Sequence, residues 1–234
     1  MNILAIGAHP DDLEIACAGT LIRYVREGHN VSMCNVSSGN LGHAVIMPDE
    51  LRTIRRKESE KAAGVIGADF YSINGDDGYL ECSNKDMRDQ LIEVIRKTKP
   101  DVIITHNPDD YMRDHMQTSM LAYDASFIST LPHLFTDSDN TVNFPTVFYM
   151  DTLAGIGFIP TEYVDISDVI DQKLEALACH ESQVKWMLDH DGIDFLDFVK
   201  TCNKYRGLQA SVAYAEGFKQ YAGWPRFRTK RMLP

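Results

Sequence analysis

The sequence predicts an α/β protein built on a Rossmann-like, open, mostly parallel sheet with helices on both faces. Short apolar, β-branched runs alternate along the chain with segments whose apolar residues recur at helical spacing, the pattern of strands joined by crossover helices. At 234 residues, 26.4 kDa and 44% hydrophobic, the chain suits a single α/β domain. The domain is expected to have its core over about 1–155 and a C-terminal extension over about 156–234. Strand and helix signals follow one another in order. Ile3–Ala8 reads as the first strand, and Asp12 or Leu13 to about Glu27 as the helix after it. Asn30–Val36 is the second strand, followed by a glycine-containing loop, Ser37–Met47. Asp49–Ile66 is helical, with Ile54, Ala62, Val65 and Ile66 on its apolar positions. Phe70–Ile73 is a third strand and Lys85–Lys97 a third helix. The compact β-branched run Asp101–Thr105, introduced by Pro100, makes a fourth strand. A polar loop, His106–Asp114, leads into a helix from His115 to about Ser129. A fifth strand lies near Thr146–Asp151, with helices around Asp168–Leu188 and Phe195–Tyr221. Trp224–Pro234, carrying Arg226, Arg228, Lys230 and Arg231, reads as a solvated or subunit-contacting tail.

A formal net charge of −11 and a pI near 5.1 argue against nucleic acid or an anionic membrane as partner. A small polar or anionic substrate held by local arginines remains compatible. Met1 runs almost directly into the first strand, so no signal peptide is expected. Nor is membrane insertion expected, because no apolar run approaches about 18 residues. The expected location is cytoplasmic. Cys17, Cys34, Cys82, Cys179 and Cys202 are scattered, odd in number and without a CxxC pair, which suits free structural thiols in a reducing compartment.

In an open parallel sheet, ligands bind beyond the carboxyl ends of the strands, where the strand order reverses. For the order 3-2-1-4-5, strands one and four are neighbours at that crevice. The two most unusual polar clusters follow those strands: Ala8-His9-Pro10-Asp11-Asp12-Leu13-Glu14, and His106 to His115. The first turn has only Gly7 where a dinucleotide site would want a glycine fingerprint. His9 and Asp12 can converge on one ion if the proline turn folds back, and His115 adds a second nitrogen from the facing loop. Two nitrogens and a carboxylate suit catalytic Zn2+, and also Fe2+ or another divalent metal. The competing reading is plainer: His9 as a turn residue, with Asp11 and Asp12 as caps of the first helix.

The segment Ala8–Glu14 resembles, residue for residue, the first signature of the PIG-L/LmbE-like family of zinc-dependent de-N-acetylases. Met112-Arg113-Asp114-His115 is similar to its second signature, which usually ends His-Pro-Asp-His. Arg55-x-x-Glu58-x-x-x-Ala62, the loop Gly75–Leu80, the strand Pro100–His106, His180-Glu-Ser-Gln183 and Tyr214–Phe218 extend the likeness over most of the chain. The resemblance implies His9, Asp12 and His115 as metal ligands, Asp11 as general base and Asp114 as a second catalytic carboxylate. It further implies a small N-acetylated substrate, most simply an N-acetylglucosamine-type sugar or conjugate, and homo-oligomers. Arg55 would hold substrate hydroxyl, phosphate or carboxylate groups, helped by Asp110, Tyr111 or the Ser37–His43 loop. Two departures stand out. Met112 replaces a histidine that would stabilise the oxyanion or protonate the leaving amine, with Arg113, His106 and His180 as candidate substitutes. Asn40 follows Gly39 where a glutamate is common. Two other readings keep the metal but change the function: an amidase on a non-sugar N-acyl compound, and a sugar- or nucleotide-binding protein without turnover.

Overall fold

The computed structural model describes residues 1–141 and 143–226. Seven strands and eight helices run in the order β1 (Asn2–Gly7), α1 (Asp12–Ala16), α2 (Ala18–Arg26), β2 (Asn30–Ser37), α3 (Pro48–Ile66), β3 (Asp69–Gly75), α4 (Lys85–Thr98), β4 (Val102–Thr105), α5 (Arg113–Ile128), β5 (Thr146–Met150), β6 (Glu162–Asp165), α6 (Ile170–Ala178), α7 (Glu181–Asp191), α8 (Phe195–Ala210) and β7 (Ala215–Gln220). The strands form one sheet in the order β3-β2-β1-β4-β5-β7-β6. The first five are parallel, as expected, and β7 and β6 add an antiparallel edge.

Side-chain alternation along β1 shows how the layers close. Ile3 and Ala5 face a core with Leu13, Cys17, Leu21, Ala63, Ile66 and Ile170, from α1, α2, α3 and α6. Leu4 and Ile6 face the opposite core with Leu91, Ile92, Ile95, Leu121 and Ala125, from α4 and α5. A strand buried on both faces has apolar residues at both parities, which is why Ile3–Ala8 is continuously hydrophobic. Among the described residues all five cysteines are free, with Cys17, Cys34 and Cys179 buried.

Three elements differ from the sequence expectation. The helix expected from Asp12 to Glu27 breaks at Cys17, at φ −144° and ψ 2°. The break opens the N-terminus of α2 to Glu216, which accepts from Gly19 N (2.8 Å), Thr20 N (2.7 Å) and Thr20 Oγ1 (2.6 Å). The helix expected from Asp168 to Leu188 is two, parted at Cys179 and His180. The helix expected to reach Tyr221 ends at Ala210, where Ser211 turns left-handed (φ 61°), and residues 215–220 are strand β7. Tertiary pairing with β5 and β6 overrides the helical propensity of Ala215 and Glu216. In the expected tail, Arg226 is buried over the Tyr123 ring, 4.7 Å from its centroid, and donates to Tyr123 O; residues 227–234 lie outside the described residues.

Glu216 is fully buried with Lys173, whose Nζ donates to Glu216 Oε1 (2.6 Å) and to Ile15 O (2.7 Å). The pair pins the α1–α2 break that sets the position of Asp12. Lys173→Met leaves a buried carboxylate without its counter-charge and is expected to destabilise the fold by about 3–5 kcal/mol, read from urea unfolding curves.

Candidate metal centre

The carboxyl ends of β1 and β4 lie side by side, and the loops after them meet as the topology requires. His9, Asp12 and His115 each bring a ligand atom to one place, all within 4.8 Å of one another. They line a cavity of about 230 Å³, together with Asp11, Arg55, Asp77, His106 and Met112.

The local geometry explains how each group is held. His115 Nδ1 lies 3.1 Å from Asp110 Oδ2, whose other oxygen accepts from Met112 N at 2.9 Å. An imidazole that donates from Nδ1 presents a lone pair at Nε2 in its neutral form. That Nε2 is buried without a hydrogen-bond partner and faces Asp12 Oδ1 at 3.3 Å. Two acceptors aimed at one point fit a cation between them. The electrostatics agree. Burial lowers His115, but Asp12 and Asp110 overcome it and push it up to about 9. Burial opposes ionisation of Asp12, yet His115 and His106 hold it well below the usual carboxylate range. A site that attracts a proton to this degree attracts a divalent ion for the same reason.

Asp12 Oδ2 accepts from His9 N at 2.6 Å, closing the proline turn on itself. The His9 ring is ringed by carboxylates: Nδ1 is 3.4 Å from Asp12, and Nε2 is 3.2 Å from Asp77 and 3.3 Å from Asp114. Asp114 Oδ2 is fixed by Gly78 N at 2.7 Å. Asp114, expected as a second catalytic carboxylate, is thus placed on His9. His9 with Asp77 and Asp114, and His106 with Asp110 and His115, form two further ligand-like clusters around the same centre.

Asp11 occupies a left-handed conformation (φ 107°), costly for a residue with a Cβ and sustained here by the turn around it. Its carboxylate makes no cap to α1 and, among the described residues, accepts no hydrogen bond. Simple helix capping therefore does not account for Asp11. Burial and the neighbouring Asp12 push its carboxyl up to about 7, against the pull of His180, Arg55 and His9.

Arg55 is buried, with Nη2 donating to Gly42 O (3.1 Å) and to Gln183 Oε1, and Nε left without a partner. A Cβ on Gly39 (φ 65°) would come 2.5 Å from Arg55 Nη1, so the loop can wrap the guanidinium only with glycine there. Asn40 explains its own departure from the usual pattern. Its Nδ2 donates to Asp76 Oδ1 and its Oδ1 accepts from Asp77 N, a pairing that no glutamate could make. That clamp delivers Asp77 to His9.

Other expected residues lie elsewhere. Asp110 points behind His115, and Tyr111 is half exposed; neither lines the cavity. Arg113 pairs with Glu81 on the surface. His180 is buried on Glu14 (3.3 Å) and is not on the cavity wall. His106 is on the wall, stacked on His115 at 3.9 Å; its Nε2 accepts from Ala8 N, and burial, then His115, lower it to about 4. Asp77, Gln183 and Asp151 face the cavity with no site role assigned from sequence, although Asp77 and Gln183 lie in the segments Gly75–Leu80 and His180–Gln183 that carried the family likeness. The Gly75–Gly78 turn and the carboxyl end of β5 were the available signals.

Fold and site together present His/Asp clusters that could hold a metal ion, an arrangement consistent with a metal-dependent hydrolase. The chain belongs to the PIG-L family: the family model described as GlcNAc-PI de-N-acetylase matches residues 4–126, more than half of it. The chain is 27% identical to a diacetylchitobiose deacetylase of Thermococcus kodakarensis, over 95% of this chain and 84% of that protein. It is 25% identical to a 4-oxalmesaconate hydratase of Pseudomonas putida, over 93% of this chain and 88% of the relative. In three dimensions it is similar to the N,N'-diacetylchitobiose deacetylase of Pyrococcus horikoshii, with a TM-score of 0.80, 27% identity, and coverage of 94% and 83%. Among the described residues no helix is long and apolar enough to cross a membrane.

Proposed function

We propose that the chain is a metal-dependent N-deacetylase that releases acetate from an N-acetylated amine of the N-acetylglucosamine type. One observation carries the reading: the unpartnered, buried Nε2 of His115 converges with Asp12 and His9 beside a buried carboxylate, Asp11, that nothing else engages. His9, Asp12 and His115 would hold the ion, most simply Zn2+, with Fe2+ an alternative. When bound, the ion supplies acidification of water and polarisation of the acyl carbonyl. Asp11 takes the proton of the attacking water and passes it to the departing amine, so that acetate and free amine leave in equal amounts. Arg55, whose Nε is free, anchors substrate oxygen atoms at the cavity wall. The test is parallel measurement of acetate and primary amine from N-acetylglucosamine and its glycosides.

Asp110 serves as the carboxylate that fixes the His115 tautomer. Asp110→Ala is expected to weaken metal binding about 10–100-fold, measured by competition with a chromogenic chelator.

Met112 favours a second reading. It stands on the cavity wall, and a thioether donates no proton to a leaving amine. Addition of water across an activated double bond has no amine to protonate, since the proton that Asp11 takes from water goes to the adjacent carbon, and one relative is a hydratase. Under the deacetylase reading, Met112→His raises turnover on N-acetylglucosamine. No gain, together with hydration of an unsaturated oxo-acid by the unaltered protein, selects the hydratase.

A further inference from the structure

A cavity of about 250 Å³ shares no lining residue with the metal cavity. Three tyrosines line it: Tyr123 from α5, Tyr149 from β5 and Tyr221 just past β7. The Tyr221 ring stands edge-on to both others, with centroids 5.3 Å from Tyr123 and 6.4 Å from Tyr149, and its hydroxyl lies 3.2 Å from that of Tyr123. Pro108, Ser119, Met120 and Asp124 complete the lining.

Arg226 stands among these rings and is more than nine-tenths buried. Its Nη2 donates to Tyr123 O at 2.9 Å, but its Nη1 is buried without a hydrogen-bond partner, and no carboxylate pairs with it among the described residues. Two other buried arginines show what a settled guanidinium looks like. Arg96 donates from all three nitrogens to Ser129 O, Leu134 O, Leu131 O and Thr136 Oγ1. Arg206 grips Asp151 through Nε and Nη2 and gives Nη1 to Gln209. Arginine does not shed its proton to escape burial, and stacking on one phenol ring replaces only part of the lost hydration. Burial accordingly lowers Arg226, against the pull of the three tyrosines. Those tyrosines are donors as well: Tyr149, pushed by burial up to about 12, keeps its proton at neutral pH. Such a wall lacks an acceptor, and above all a charged one.

We propose that this cavity is a binding site for the carboxylate of a small, flat, apolar organic acid, seated against Arg226 and the tyrosine hydroxyls. The planar fork of a guanidinium matches a carboxylate, and the anion supplies the counter-charge that the fold leaves out. A doubly charged phosphate suits the site less, because the Asp124 carboxylate lies on the same wall and repels added negative charge. Ring edges and faces from three tyrosines, with Pro108 and Met120, fit a flat apolar body. The volume falls just under the usual range for a drug-sized ligand, about 300–1,000 Å³, and so suits a molecule of one ring.

Calorimetry on the metal-loaded protein tests this with three probes: benzoate, its uncharged isostere benzamide, and inorganic phosphate. Benzoate is expected to bind about tenfold or more tightly than either of the others. Two variants then locate the bound acid. Arg226→Met removes the charge and puts an apolar side chain in its place, a change that the fold tolerates where the buried ion had no partner. Met120→Trp fills the cavity from a position on α5 that is 49% exposed, and leaves the guanidinium alone. Each should weaken benzoate about tenfold or more, and benzoate should raise the Tm of the unaltered protein but not that of Arg226→Met. Benzoate affinity that survives either substitution places the acid elsewhere, the metal ion included, and overturns the proposal. Benzamide or phosphate binding as tightly as benzoate overturns it too.

Discussion

Asp11→Asn lowers kcat for acetate release by about 10²–10⁴-fold and leaves the metal content unchanged. The substitution keeps the size of the side chain and removes only the ability to take a proton. Asp11 is suited to that test because its carboxylate is buried, held at φ 107°, and engaged by no other group. Its pH dependence has a definite sign. A carboxyl raised to about 7 by burial and by Asp12 is protonated, and idle as a base, below that value. Activity therefore rises with pH along a limb at or below about pH 7, since a neighbouring cation favours the carboxylate form. The limb should vanish in Asp11→Asn. Loss of metal in that variant would make Asp11 a ligand, and full activity would end its role as base.

The second large effect falls on the ligands. His115→Ala is expected to lose nearly all bound metal and, with it, all measurable turnover, while the protein stays folded. His115 sits at the carboxyl edge of the sheet, outside both main cores, so its removal spares the packing. Near-stoichiometric metal by elemental analysis in this variant would remove His115 from the centre. Chelation of the unaltered protein should abolish activity in the same way, with recovery on adding Zn2+ or Fe2+.

The parallel half of the sheet and the meeting of its two polar loops were legible because both follow from local pattern plus one topological rule. Ile3–Ala8 and Asp101–Thr105 announce buried strands, and the 3-2-1-4-5 order brings His9, Asp12 and His115 together. The C-terminal region was not legible in the same way. Glu216 reads as a helix former on an isolated segment, and only its burial with Lys173 and the α2 N-terminus makes strand β7 the better home. Side-chain direction was the other gap. Asp110 looks like a cavity residue by its place in the loop, yet its bonds to His115 and Met112 N turn it behind the centre. Asp77 gave little sign of itself because its position depends on a clamp from Asn40, 37 residues earlier.

The central claim is metal-dependent release of acetate, and proton NMR of N,N'-diacetylchitobiose incubated with the metal-loaded protein tests it most directly. The account predicts a free acetate methyl signal that grows in step with new primary amine and stops on chelation. Undiminished N-acetyl signals, in a protein carrying one metal ion per chain and adding water to an unsaturated oxo-acid, would contradict it.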